Sequence, residues 1–173
     1  MEEEILKRLE ANQSMVTGGV KRKDQVKEVA ESNRYRHPPQ GFIKLNFDGA
    51  ATHNPREADI GGVFKDAKGN TLRTFTMDCG EATNNEAELH ALKRGLEIAL
   101  QAKFKRLQIE GDSKLVVDMV RNLQQQKPVD KISKSWRTTW IVGEIGKLLP
   151  RIDYLIPSHI RRPGNKPVDW LAN

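Results

Sequence analysis

Four acidic residues stand where acids make poor filler. Asp48 closes an apolar alternation in Phe47-Asp48-Gly49-Ala50, and Glu88 lies in Asn84-Asn85-Glu86-Ala87-Glu88-Leu89. Asp112 follows a short apolar run in Glu110-Gly111-Asp112-Ser113, and Asp169 comes two residues after Pro167. Taken singly, each has an ordinary explanation. Glu88 and Asp169 suit the positive end of a helix dipole. Asp112 suits a turn or a cap, and Asp48 before Gly49 suits a turn. Taken jointly, they point to chemistry. If the segments ending in Asp48 and Asp112 are neighbouring strands, Glu88 can join them at one sheet edge. Carboxylates crowd only where cations neutralise them. Hard oxygen ligands with open positions suit Mg²⁺ or Mn²⁺. Two such ions ~3.5–4 Å apart can activate a water and stabilise the leaving oxygen of a phosphodiester.

The elements that must position these acids follow from periodicity. Phe42–Ala50 alternates, with Ile43, Leu45 and Phe47 on one face and Lys44, Asn46 and Asp48 on the other, which predicts a strand. Ile60–Lys65 and Thr71–Asp78 predict a second and third strand, joined through the turn formers Asp66-Ala67-Lys68-Gly69-Asn70. Thr83 or Asn84 can cap a helix reaching about Ala102, with Leu89, Leu92, Leu96, Ala99 and Leu100 at helical spacing. Arg106–Glu110 predicts a fourth strand, and Ser113–Leu123 a helix that buries Leu115, Val116, Met119 and Val120. Ser133–Leu149 predicts a long helix. Its Trp136 and Trp140, at i, i+4, are expected in the core. A fifth strand is expected over Ile152–Ile156, and Pro167 should open a last helix that is cut short at Asn173. The expectation is an α/β fold: an antiparallel meander of three strands, two strands joined by crossovers, and flanking helices.

Residues 1–40 read as an appendage, partly helical or disordered. Ile5 and Leu9 sit at i, i+4 within Glu2–Asn12, and Gly18-Gly19 breaks that pattern. The domain proper is expected over 41–173. With 173 residues, 37% hydrophobic, the chain can build one core. No apolar run approaches the ~20 residues that span a bilayer, so no membrane partner is expected. The acidic opening Met1-Glu2-Glu3-Glu4 does not resemble a secretory leader. Cys79 is the single cysteine, which excludes an intramolecular disulfide and points to a reducing, intracellular compartment, nuclear or cytoplasmic. The net charge is +6, and residues 103–137 carry most of the basic excess. That balance permits a polyanionic partner.

Residues 42–173 resemble ribonuclease H of the cellular type I class, especially the ribonuclease H-like domains of plants and of retroelement polyproteins. Lys44-Leu45-Asn46-Phe47-Asp48-Gly49-Ala50, followed by Asn54-Pro55, is similar to the family's first motif. Thr83-Asn84-Asn85-Glu86-Ala87-Glu88-Leu89 is similar to the second, and Gly111-Asp112-Ser113 to the third. His159, Asn165 and Asp169, followed by Leu171-Ala172, are similar to the fourth. The resemblance implies the ribonuclease H-like fold and a metal quartet of Asp48, Glu88, Asp112 and Asp169 holding two Mg²⁺ ions, with Mn²⁺ as a substitute. It implies that His159 assists proton transfer or product release. It implies substrate contacts from Gly49, Asn54, Asn84, Asn85, Ser113 and Asn165. The expected activity is endonucleolytic hydrolysis of the RNA strand of RNA–DNA hybrids by a monomer, leaving 5′-phosphate and 3′-hydroxyl ends. Two alternatives stay open: a non-catalytic hybrid-binding module, and a nuclease of the same fold with another substrate. Bacterial relatives insert a basic helix and loop where this chain has only Asn122–Lys134, and Arg56 stands where a small residue is common.

Overall fold

The structure is a computed structural model that describes residues 2–14, 36–52 and 56–161. A helix, α1 (Glu2–Ser14), precedes three strands, β1 (Ile43–Ala51), β2 (Arg56–Lys65) and β3 (Thr71–Ala82). Next come α2 (Asn84–Gln101), β4 (Arg106–Gly111), α3 (Lys114–Gln124), the single turn α4 (Val129–Ile132) and α5 (Trp136–Leu148). A 3₁₀ turn over Leu149–Arg151 leads into β5 (Tyr154–His159). The five strands form one mixed sheet in the order β3-β2-β1-β4-β5. β1–β2 and β2–β3 are antiparallel; β1–β4 and β4–β5 are parallel. This is the meander with two crossover strands that the sequence predicts.

Local chemistry explains the elements. The turn between β2 and β3 closes because Asp66 Oδ1 accepts from the backbone N–H groups of Lys68 and Asn70, both at 2.9 Å. Gly69 takes φ +86° there, which a Cβ disfavours. Thr83 caps α2 through a reciprocal box. The Glu86 N–H donates to Thr83 Oγ1 at 3.2 Å, and the Thr83 N–H donates to Glu86 Oε2 at 2.7 Å. Leu45, Phe47, Ile60, Phe64, Leu107 and Ile109 form the sheet's apolar face and pack under α2, α3 and α5. Gly95 lets α2 settle there, since a Cβ would stand 2.5 Å from Leu45 Cδ2.

Several boundaries depart from expectation. β2 and β3 run further, pairing from Arg56↔Ala82 across a bulge at Glu57/Asp59, where polar residues conceal the alternation. β5 starts at Tyr154 because the 3₁₀ turn takes up Leu149–Arg151. The helix expected from Ser133 begins at Trp136. The core expected for the two tryptophans is not theirs: Trp136 is 80% exposed and Trp140 51%. Ile141, Val142 and Ile145 face the core instead. Leu115, expected on the buried side of its helix, is 49% exposed, and Val117 is buried with Val116, Met119 and Val120. α1 lies on the sheet's other face, where Ile5 and Leu9 bury against Val63. Gly61 makes the seat, since a Cβ there would stand 2.6 Å from Ile5 Cγ2. The last helix expected from Pro167 lies outside the described residues.

Candidate active site

Asp48, Glu88 and Asp112 each place a carboxylate oxygen within 4.8 Å of the others. Topology explains the meeting. β1 and β4 are parallel, with Asn46 opposite Glu110. Asp48, two residues further along β1, and Asp112, just past the end of β4, then meet where the central strands end their pairing. In open α/β sheets, ligands bind at such strand ends. Glu88 comes from the second turn of α2, which is drawn tightly onto β1. A Cβ on Gly49 would lie 2.3 Å from the Ala87 carbonyl carbon, so glycine at 49 permits the contact. The α2 N-terminus is held from outside too, by Arg137 Nε donating to Glu86 Oε1 at 2.6 Å.

The site is electrostatically loaded. Asp48 and Glu88 are buried, and Asp112 is partly exposed. Burial pushes the Glu88 carboxyl well above its ordinary value, and the charges of Asp48 and Asp112 push it further. Glu88 Oε2 is buried and makes no hydrogen bond among the described residues. Arg8 of α1 brings one positive charge, its Nη1 lying 2.8 Å from Asp48 Oδ2. A cluster of hard oxygens with an orphaned buried acceptor, met by a cation, has the donor set that a divalent ion requires.

The other residues singled out by sequence lie as follows. His159 ends β5 beside Asp112, with Nε2 3.1 Å from the Asp112 carbonyl oxygen. Asn84 is at the exposed start of α2, and its Oδ1 accepts from the Ala51 N–H at 3.1 Å, tying α2 to the end of β1. Asn85 beside it is exposed. Ser113 caps α3, accepting from the Val116 N–H at 3.3 Å. Asn54, Asn165 and Asp169 lie outside the described residues. Sequence reasoning passed over Arg8, Lys44, Asn46 and Glu110. Lys44 and Asn46 share a strand face with Asp48, and that was the available signal. Glu110 carries the same signal, two residues before Asp112 in its strand segment, whereas nothing in the sequence links Arg8 to the site.

A mixed sheet ordered β3-β2-β1-β4-β5, with carboxylates converging at the ends of its central parallel strands, defines the ribonuclease H-like class of fold. The chain belongs to the reverse transcriptase-like family, which matches it over residues 46–173. It is 31% identical over 137 residues to a putative ribonuclease H protein of Arabidopsis thaliana, covering 79% of this chain and 21% of that protein. It is 32% identical over 133 residues to Ribonuclease HI of Halobacterium salinarum, covering 77% of this chain and 63% of that protein. The chain thus spans less than two thirds of either relative. Among solved structures, LC11-RNase H1 in complex with an RNA/DNA hybrid superposes with a TM-score of 0.59 at 33% identity, covering 75% of this chain and 92% of that one.

Proposed function

We propose that this chain hydrolyses the RNA strand of RNA–DNA hybrids with the help of divalent cations, leaving 5′-phosphate and 3′-hydroxyl ends. The observation that carries the reading is the convergence of Asp48, Glu88 and Asp112 within 4.8 Å. The similarity to LC11-RNase H1, which was crystallised with a hybrid, supports the choice of substrate. Asp48, Glu88 and Asp112 would hold the cations, Mg²⁺ or Mn²⁺, and we place Asp169 with them as the fourth ligand. Ions held by these residues would supply activation of a water and stabilisation of the leaving oxygen.

The chain's own groups supply the rest. The Asp112 carbonyl can only accept, so His159 Nε2 donates to it, which leaves Nδ1 as the ring nitrogen available for proton exchange. Such a group next to Asp112 is suited to taking a proton from, or returning one to, a group at the scissile phosphate. Trp136 and Trp140 offer exposed rings on α5. The Arg137 guanidinium lies 5.6 Å from the Trp136 ring centre, and Lys93 Nζ 5.8 Å from that of Trp140. Aromatic faces beside cations suit a nucleic-acid strand, whose bases stack while its phosphates are neutralised. Gly49, Asn54, Asn84, Asn85, Ser113 and Asn165 are assigned to substrate contact by resemblance, and Asn84 and Ser113 also hold backbone in place. Among the described residues no helix is long and apolar enough to cross a membrane.

Labelled RNA–DNA hybrid, double-stranded RNA and double-stranded DNA, each incubated with Mg²⁺ or with EDTA, test the reading. Cleavage of hybrid RNA alone, abolished by EDTA, is the expected result. Binding without cleavage would identify a non-catalytic module, and cleavage of another substrate would identify a different nuclease.

A further inference from the structure

The main-chain ladder between β1 and β4 ends at Asn46↔Glu110. Beyond that point β1 goes on pairing with β2 as far as Ala51, and β4 with β5 as far as Gly111. The sheet therefore divides between its two central strands. Asp48 and Asp112 stand just past the division, one on each side, and Glu88 reaches both. Where the ladder stops, side chains make the last tie across the gap. Asn46 Nδ2 donates to Glu110 Oε1 at 3.0 Å, and Lys44 Nζ donates to Glu110 Oε2 at 3.0 Å. All three residues are buried, Lys44 completely. Lys44 also donates to the Arg36 carbonyl, which ties the segment before β1 into the same cluster.

This cluster sits where an apolar residue would pack without difficulty. Val63, the β2 neighbour of Asn46 on the same face, is buried. Asn46 instead leaves its Oδ1 buried with no hydrogen bond among the described residues. A buried acceptor left unsatisfied disfavours the fold, so the amide is not explained by packing. What it contributes is the Nδ2 bond across the division. Charge is arranged in the same sense. Lys44 neutralises Glu110, so the bridge adds no net negative charge beside three carboxylates that already repel one another.

We propose that Asn46 and Glu110, with Lys44 holding Glu110, are positioning residues: their bridge sets the separation of Asp48 and Asp112, and thereby the fit of the site to a divalent cation. The inference rests on the metal-dependent reading above. Groups that orient metal ligands typically change metal affinity by about 10–100-fold when removed.

The test compares wild type with Asn46→Leu, which keeps the volume, leaves the Lys44–Glu110 pair and removes the donor. Mn²⁺ affinity is read by calorimetry on the full chain, with thermal unfolding beside it, and kcat and KM for hybrid at limiting Mn²⁺. The expected result is a roughly tenfold loss of Mn²⁺ affinity. A matching fall in kcat should accompany it, with KM for hybrid and the melting temperature little changed. A merely structural residue would lower the melting temperature and leave the affinity of the folded fraction intact. Asn46→Ala gives the same reading should leucine not fit. Wild-type Mn²⁺ affinity in these variants overturns the positioning role, whether or not the chain cuts hybrid. A wild-type chain that binds Mn²⁺ more tightly than Asn46→Leu, yet leaves hybrid intact, overturns the hybrid reading and upholds the positioning role.

Discussion

Beneath α2, the sheet presents Leu45, Phe47, Ile60, Phe64, Leu107 and Ile109, all almost fully buried. Its opposite face presents Lys44, Asn46, Asp48, Asp59 and Glu110, which are buried nearly as deeply. The two faces alternate along the same strands, so Leu45 and Phe47 point one way and Lys44, Asn46 and Asp48 the other. The apolar face gains from area removed from water, a non-directional term that tolerates small shifts. The polar face holds together only where charges and hydrogen bonds meet with correct geometry, because a buried group left unpaired is unfavourable. Asp48 stands on the second face, and Glu88 reaches it from α2 at the end of the central strands. The site needs groups held in fixed directions, and the first face supplies the rigidity that holds them.

The contrast breaks most sharply at Asp48. Asp48→Asn should lower hybrid cleavage by at least ~10³-fold. Hybrid binding should be kept or tightened, because a negative charge facing phosphates is lost. Cleavage and gel-shift assays on one preparation check both halves. Equal rates for variant and wild type would remove Asp48 from the site.

The opposite face should answer in stability. Phe47 packs under Gly111, where a Cβ would stand 2.6 Å from its ring. Phe47→Ala should destabilise the fold by roughly 3–5 kcal/mol, as large-to-small core changes do, with the folded fraction retaining its metal affinity. Denaturant titration beside calorimetry separates the two quantities.

A smaller effect is expected at His159. His159→Ala should slow turnover about 10²-fold, since water replaces part of what a positioned acid or base supplies. Single-turnover cleavage would show it. A loss as complete as that of Asp112→Asn would make His159 a ligand or a structural post instead.

The polar face should also carry a signature in pH. The Glu88 carboxyl is raised above 4.5 in the fold by burial and by Asp48 and Asp112. Between 4.5 and its raised value, the folded chain binds more protons than the unfolded one, so stability falls as pH rises through that window. In EDTA, the melting temperature should therefore decline across that range. Mg²⁺ should flatten the decline by compensating the carboxylate charge. A profile in EDTA that climbs through the same window would contradict the charge crowding at Glu88.

The smallest effect is expected at Arg8, whose guanidinium pairs with Asp48 at 2.8 Å and is largely buried. Cation and guanidinium compete for one carboxylate, so Arg8→Ala should raise Mn²⁺ affinity about fivefold. The melting temperature should move by only a few degrees, because Ile5 and Leu9 keep their apolar seat on Val63. Calorimetry reads the affinity, and an unchanged value would mean that Arg8 yields the carboxylate without cost.

Much of this was written in local sequence. Alternation over 43–48 marked β1 and its two faces, and a capping residue at Thr83 or Asn84 marked the start of α2, because a strand period and a helix cap are properties of nearby residues. Asp48, Glu88 and Asp112 were visible as acids at element ends. Trp136 and Trp140 were misjudged by their type. The stripe they begin continues through Gly143 and Lys147, a solvent-facing pattern, while Ile141, Val142 and Ile145 form the buried one. What tertiary structure alone decided was which elements stand side by side. Asn46 and Glu110 are 64 residues apart, and Arg8 and Asp48 belong to segments with no shared local pattern. Their meeting depends on β4 inserting parallel to β1 and on α1 finding a glycine seat at Gly61. Periodicity reports which way a side chain faces. Only packing decides what it faces, because that energy arises between segments that one stretch of chain does not contain.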